Sequence, residues 1–455
     1  HAPLIDAPTR RWLAGRRSDA AYRLGDLATA VSFARESDDP FFKTVADRIE
    51  AAEADARGVR LAVGFVRQHH QTCGPATLSA LARFWGKDAD HLEVAGAICY
   101  DGTPDHLERA WAQSNGWIAR EFTVTWDAAV ALLDRGVPFT LTTVETQSAH
   151  LQAVIGYDAR RGTLLIRDPT LPHEGEALGG PFLERYRSVG PRGMAMGPSD
   201  RAELLDGLDL PAAALYDHLS RMQVAVRGHD RATAAAALEA LRAEAPVHRL
   251  AHHARRLMAI YDADAPSMLS AIEALRASFP DDVNLRLSQI SCLRDLGRRD
   301  DRLALFREAC ARPFVDPVVR RQYAMELLAD AREHRNAERL ARRALRVRPS
   351  DAAGLYVLAR VAWDAGRLDD AIELYRFASC LDDKNEGLAR SYFSAARHVH
   401  REDEALRLMA GRCRRFGASS SQPARTLHEA LSMLDNAAEA SAALEDAKLV
   451  VQRVD

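Results

Sequence analysis

Gln68-His69-His70-Gln71-Thr72-Cys73-Gly74-Pro75-Ala76-Thr77 is the stretch on which the fold turns. Beyond it Leu78, Leu81, Phe84 and Trp85 recur at helical spacing, Pro75 suits a first turn, and Gly86 follows the last apolar residue. The pattern predicts a helix with Cys73 at or just before its N-terminus. That end of a helix carries unpaired N–H groups and partial positive charge, which favour a thiolate, more so beside a protonated histidine. The thiolate is the nucleophilic form of cysteine.

A partner for the thiol can be read downstream. Residues 150–157 read as a strand, 158–162 as a turn and 163–168 as the returning strand. A hairpin closed about that turn is expected to set His150 opposite Asp168, about 5 Å apart on one face. The carboxylate can then hold one imidazole nitrogen and leave the other for the thiol. Alone, such a cysteine is more often a small buried hydrophobe and such a histidine structural. Together the three point to a Cys/His/Asp site.

A glutamine, a short spacer, Cys-Gly at a helix start, and far downstream a histidine and then Asp-Pro resemble the papain-like peptidase domain of bacteriocin exporters, which removes double-glycine leader peptides. The resemblance covers about residues 63–192. It implies Cys73 as nucleophile, His150 as base, Asp168 as the carboxylate that orients the base, and an upstream glutamine as oxyanion donor. Gln68 and Gln71 both qualify. Gln68 lies further back, leaves room for a turn before the helix, and is preferred.

Other nearby groups carry less. His69, His70 and Cys73 fall within five consecutive positions and lack the two-pair spacing of structural zinc sites, so no metal is expected, nor any cofactor. His173, in a loop after Asp168-Pro169-Thr170, is the reserve base, on a less rigid element. Gly179-Gly180 before Pro181 reads as a turn rather than a self-processing site.

The chain has 455 residues, enough for two or three domains, with 47% hydrophobic and 27% charged residues. Its 61 basic and 64 acidic residues give a net charge of -3, which offers no reason to expect nucleic acid or an anionic membrane as the main partner. No apolar run is long enough to span a bilayer, unlike the exporters, whose peptidase domain is fused to a membrane transporter. The six cysteines (Cys73, Cys99, Cys292, Cys310, Cys380, Cys413) lack paired spacing, which suits a reducing compartment and favours a cytoplasmic location. The start at His1, without a signal-peptide pattern, is that of an excised or mature fragment.

Three segments are expected. Residues 1–58 read as a helical cap, with helices over 9–14, 20–35 and 41–56. Residues 59–200 interleave helices over 89–97, 104–114 and 127–134 with strands over 119–124 and 137–144, the order of a papain-like α+β cysteine peptidase domain. Residues 201–455 turn helical and repeat. Pro246, Pro280, Pro349 and Asp383 fall 34, 69 and 34 residues apart, with Pro313 or Asp316 supplying the missing break, and Ala337, Ala371 and Ala405 recur every 34. This resembles the tetratricopeptide repeat, of which about seven fit in an all-α solenoid, the last helix spanning 436–454. The array leaves room to continue beyond it.

The leading expectation is therefore a cysteine peptidase whose repeats bind a protein substrate or partner. The alternatives are an acyltransferase, transglutaminase or deamidase using the same thiol, or an inactive peptide-binding scaffold.

Overall fold

A computed structural model describes residues 6–53, 55–146 and 148–451. The chain divides into two compact units, His1–Tyr261 and Asp262–Asp455.

The first unit opens with three helices, α1 (Ala7–Arg23), α2 (Leu27–Glu36) and α3 (Pro40–Ala51), each begun by an aspartate side chain that accepts a first-turn N–H. The helix over 9–14 expected from the sequence runs on unbroken to Arg23, and the break falls at Gly25, whose φ of 81° suits glycine. These helices sit on the turn of the central hairpin. Tyr22 donates to Asp158 at 2.8 Å, Arg161 pairs with Asp19 at 2.9 Å, and Arg48 donates to the Gly162 carbonyl.

Next come β1 (Gly58–Arg60), α4 (Cys73–Phe84), α5 (His91–Ile98), α6 (Asp105–Ser114), β2 (Trp117–Thr123), α7 (Trp126–Asp134), β3 (Phe139–Glu145), β4 (Ser148–Asp158), β5 (Thr163–Arg167), β6 (Gly175–Leu178), α8 (Gly179–Arg185) and β7 (Arg192–Pro198). The strands form one antiparallel sheet in the order β2-β7-β3-β4-β5-β6, with β1 paired to β4 beside it. Both faces are covered. Ala153, Ile155, Met194 and Met196 pack with α4 and its neighbours, while Phe139, Leu141, Val154 and Tyr157 pack with α7. Every residue of α4 from Gly74 to Ala82 is buried, so it is a central helix rather than one with a single apolar stripe. Gly179-Gly180 opens α8 instead of forming a free turn.

The hairpin register differs from the expected one. Asp158 pairs with Thr163, Tyr157 with Leu164 and Gly156 with Leu165; then a β-bulge at Ile155 shifts the pairing to Val154 with Ile166 and Ala153 with Arg167. One step on, Asp168 stands opposite Gln152, two residues from His150. Side chains alternate with a period of two, so His150 and Asp168 share a face and meet diagonally, whereas direct opposition was expected. Without the bulge Asp168 would come opposite Ala153, on the other face.

The unit closes with α9 (Ala213–Arg227), α10 (Arg231–Glu244) and α11 (Arg249–Tyr261). The change from sheet to helix falls near residue 200, but the compact unit runs to Tyr261 because these helices bond to the sheet domain. Asp217 accepts from Arg109 at 2.6 Å, Arg249 donates to Thr123 at 2.7 Å, and His253 lies 3.2 Å from the Ser188 carbonyl.

The second unit is helical, from α12 (Ala265–Ser278) to α22 (Ala437–Val451). Fourteen α-helices run from Ala213 to Val451 among the described residues, the number that about seven two-helix repeats contain. Asp316 supplies the missing break by capping the helix that begins at Pro317. The alanines of the 34-residue repeat, Ala337, Ala371 and Ala405, are fully buried where helices meet. Residues 452–454, expected in the last helix, lie outside the described residues.

Candidate active site

Cys73 is the first residue of α4, and His150 is the third of β4. The two elements are pinned together where this matters, because Thr77, one turn along α4, donates to the Leu151 carbonyl at 3.0 Å. The Cys73 sulfur faces the His150 ring and the Leu151 backbone N–H, and both favour its ionised form. On its other side, His150 Nε2 stands 3.1 Å from Asp168 Oδ1. The Nε2–H is turned off the line to that oxygen, so the contact is an ion pair more than an aligned hydrogen bond. With Nε2 facing the carboxylate, Nδ1 is the nitrogen left for the thiol.

Asp168 is held from the loop that follows β5. The Thr170 N–H and hydroxyl both donate to Asp168 Oδ1, at 2.7 and 2.6 Å. The Gln68 N–H donates to the Pro169 carbonyl at 3.0 Å, which ties the segment ahead of the cysteine to the segment that carries the acid.

Charge follows from this geometry. Burial alone would raise the thiol, but the His150 hydrogen bond, the Leu151 N–H and the imidazolium charge outweigh it, and Cys73 lies below its ordinary value. Burial works against a charged His150, yet the bonds to Asp168 and Cys73 push it up to about 9. Burial also opposes ionisation of Asp168, but the His150 and Thr170 bonds bring it down to about 2. The lowered thiol and the raised imidazole both favour the thiolate–imidazolium form, beside an ionised carboxylate. Cys292, Cys310 and Cys413 move the other way, raised by burial.

Gly74 has a steric reason. A Cβ there would meet Thr103 at 3.0 Å and Glu108 Oε1 at 3.3 Å, tighter than ordinary contact, so both side chains would have to give by a few tenths of an ångström. Glu108 belongs to a buried charge network that the sequence did not reveal. Arg192 donates to Glu108 and Glu121 at 2.7 Å each, and Arg109 donates to Glu121 at 3.0 Å and to Asp217 at 2.6 Å. The only local signal was a glutamate and an arginine on the inward side of an amphipathic helix.

A cavity of about 740 Å³ opens over the pair, lined by Cys73, His150 and Gln71 on one side and by residues of α9 and α11 on the other. Asp168 stands outside it, behind the ring. Gln71 lines the cavity from a left-handed backbone position, φ 59°. Gln68 is not among the lining residues, and its amide oxygen is buried without a hydrogen-bond partner. His173 is exposed on its loop and off the cavity. His69 and His70 are exposed, His69 lying against the His91 ring at 5.0 Å. Among the described residues no three His, Cys, Asp or Glu side chains converge as a metal site.

Residues 60–192 match the model of the Peptidase_C39 like family. No curated protein gives a significant match. Among solved structures, the peptidase domain of Streptococcus ComA, a bifunctional ABC transporter involved in a quorum-sensing pathway, is 19% identical with a TM-score of 0.25 over 30% of this chain and 98% of that one. PilW, a type IV pilus biogenesis factor, is 18% identical with a TM-score of 0.36 over 46% of this chain and 96% of that one. A tetratricopeptide repeat protein from Parabacteroides merdae is 10% identical with a TM-score of 0.37 over 52% and 93%. Residues 60–192 are thus a peptidase C39-like domain, and the chain joins it to helix pairs of the tetratricopeptide kind.

Proposed function

We propose that the protein is a cysteine peptidase that hydrolyses peptide bonds, and that its helix pairs bind the protein substrate or a protein partner. The observation that carries this reading is the row formed by Cys73, His150 and Asp168, with the thiol lowered and the imidazole raised.

The Cys73 thiolate attacks the peptide carbonyl carbon, and the Gln68 amide with the Cys73 backbone N–H holds the oxyanion. The C–N bond breaks as the imidazolium of His150 gives its proton to the leaving amine. Water then attacks the thioester, His150 takes a proton from it, and the carboxylic acid leaves as the thiolate re-forms. Asp168 keeps the ring oriented and balances its charge. Of the two glutamines, Gln71 is nearer the cavity, and Gln68→Ala and Gln71→Ala separate them. The donor's loss lowers kcat by about 10²–10³-fold.

The test is digestion of a proteome-derived peptide mixture by the full chain in heavy-oxygen water, read by mass spectrometry. Wild type is expected to leave new C-termini that carry the label, and Cys73→Ala none. Cleavage retained in Cys73→Ala overturns the assignment, and acyl adducts in place of labelled acids identify a transferase.

A further inference from the structure

The far wall of the cavity belongs to the first helices of the array rather than to the peptidase-like domain. Along α11, Leu250, His253, Arg256, Leu257 and Ile260 reach the lining, so one face of this helix looks at the same space as Cys73 and His150. Most of the charged groups on that lining are already compensated. Arg192 is saturated by Glu108 and Glu121. His150 is committed to Asp168. His253 is held neutral, its pKa pushed down to about 3 by burial and by the neighbouring Arg256 charge. Asp105 accepts from the His106 N–H and the Gln223 amide. Asp101 is exposed and keeps its water.

Arg256 is the exception. It is partly withdrawn from water, burial alone lowers its pKa, and no hydrogen bond or ion pair joins it to another described residue. A desolvated guanidinium without a counter-ion is destabilising, and a carboxylate entering the cavity relieves that by a bidentate, charge-assisted contact. The neighbours Leu257, Ile260 and Leu219 offer apolar surface beside it.

We propose that Arg256 is a specificity residue that binds a carboxylate of the peptide held in the catalytic cavity, so that the first helices of the array, not the peptidase-like domain alone, select the substrate. This rests on the reading of Cys73 as the nucleophile. Two sources share the chemistry: an acidic side chain flanked by aliphatic residues, or the α-carboxylate of a chain end.

Three chloroacetyl peptides of one length separate them. One is amidated and carries Glu, one is amidated and carries Gln in its place, and one carries Gln with a free C-terminus. Labelling of Cys73 in the full chain is followed by mass spectrometry in wild type, Arg256→Gln and Arg256→Glu. Wild type is expected to react with a carboxylate-bearing probe about tenfold faster than with the neutral one. The Glu amide being fast identifies a side chain, and the free acid being fast identifies a chain end. Arg256→Gln is expected to erase the preference, so that the carboxylate and neutral probes react at one rate, and an unchanged thermal unfolding midpoint shows that the variant still folds. Arg256→Glu is expected to make the carboxylate probes slower than the neutral one. Equal rates for all three probes in wild type, or a preference that survives in Arg256→Gln, overturn the proposal. Failure of the nucleophile reading shows elsewhere, as a neutral probe that labels Cys73 no faster than Cys292.

Discussion

At Cys73 two sets of effects oppose each other: burial penalises the thiolate, while the imidazolium and the Leu151 N–H favour it, and the second set is the larger. The pair titrates as a unit. Its ionised form appears as pH rises through the lowered thiol value and disappears as His150 loses its proton at about 9. The proposed activity should therefore give a bell in kcat/KM, with an acid limb below the usual thiol range and an alkaline limb near 9. In Asp168→Asn the support for the imidazolium is gone. The alkaline limb should move to lower pH and kcat/KM should fall by about 10²–10⁴-fold, which a pH series of initial rates on wild type and variant measures. An alkaline limb that stays in place would mean that Asp168 does not hold the ring. The cysteine, histidine and aspartate were legible because each stands at the end of a recognisable element. The Leu151 N–H and Arg256 were not, since a backbone donor has no sequence signature and a lone arginine on a repeat helix looks like a solvated face.

Among the elements, the β4–β5 hairpin has the most leverage. Its bulge at Ile155 determines whether Asp168 lies on the face of His150 or on the opposite one. Gly156, next to the bulge, also lets β1 approach, since a Cβ there would collide with the Val59 carbonyl oxygen. Gly156→Ala is expected to lift β1 or straighten the bulge, costing about 1–3 kcal/mol in denaturant unfolding. It should also slow labelling of Cys73, because His150 and Asp168 would no longer meet; unchanged labelling would show that the bulge does not orient the pair. The bulge itself was not legible. A run of apolar residues through 153–157 hides any alternation that would betray an extra residue. The same holds for β7, Arg-Gly-Met-Ala-Met-Gly-Pro, which lies between β2 and β3 yet lacks the β-branched residues that mark an interior strand.

On the scale of the molecule, the repeat was the most legible feature, because a 34-residue period in small residues has a direct steric meaning. Ala371, on α18 (Leu368–Leu381), is fully buried among Ala359, Tyr375, Ala389 and Tyr392. Ala371→Leu should lower stability by about 1–3 kcal/mol through overpacking, read from the denaturant midpoint of the full chain. A change within a few tenths would mean that the helices do not meet as described. Less legible was that the first three helices of the array belong to the compact unit of the sheet, since bonds such as Arg109 to Asp217 and Arg249 to Thr123 join residues more than a hundred positions apart. The whole account depends on the state of one sulfur, and the most direct measurement is the pH dependence of iodoacetamide alkylation at Cys73 in the intact protein, resolved by mass spectrometry. The account predicts a midpoint clearly below the ordinary thiol range, reaction far faster than at Cys292 at neutral pH, and an upward shift of the midpoint in His150→Ala. A midpoint at or above the ordinary thiol value, unmoved by that substitution, would contradict it.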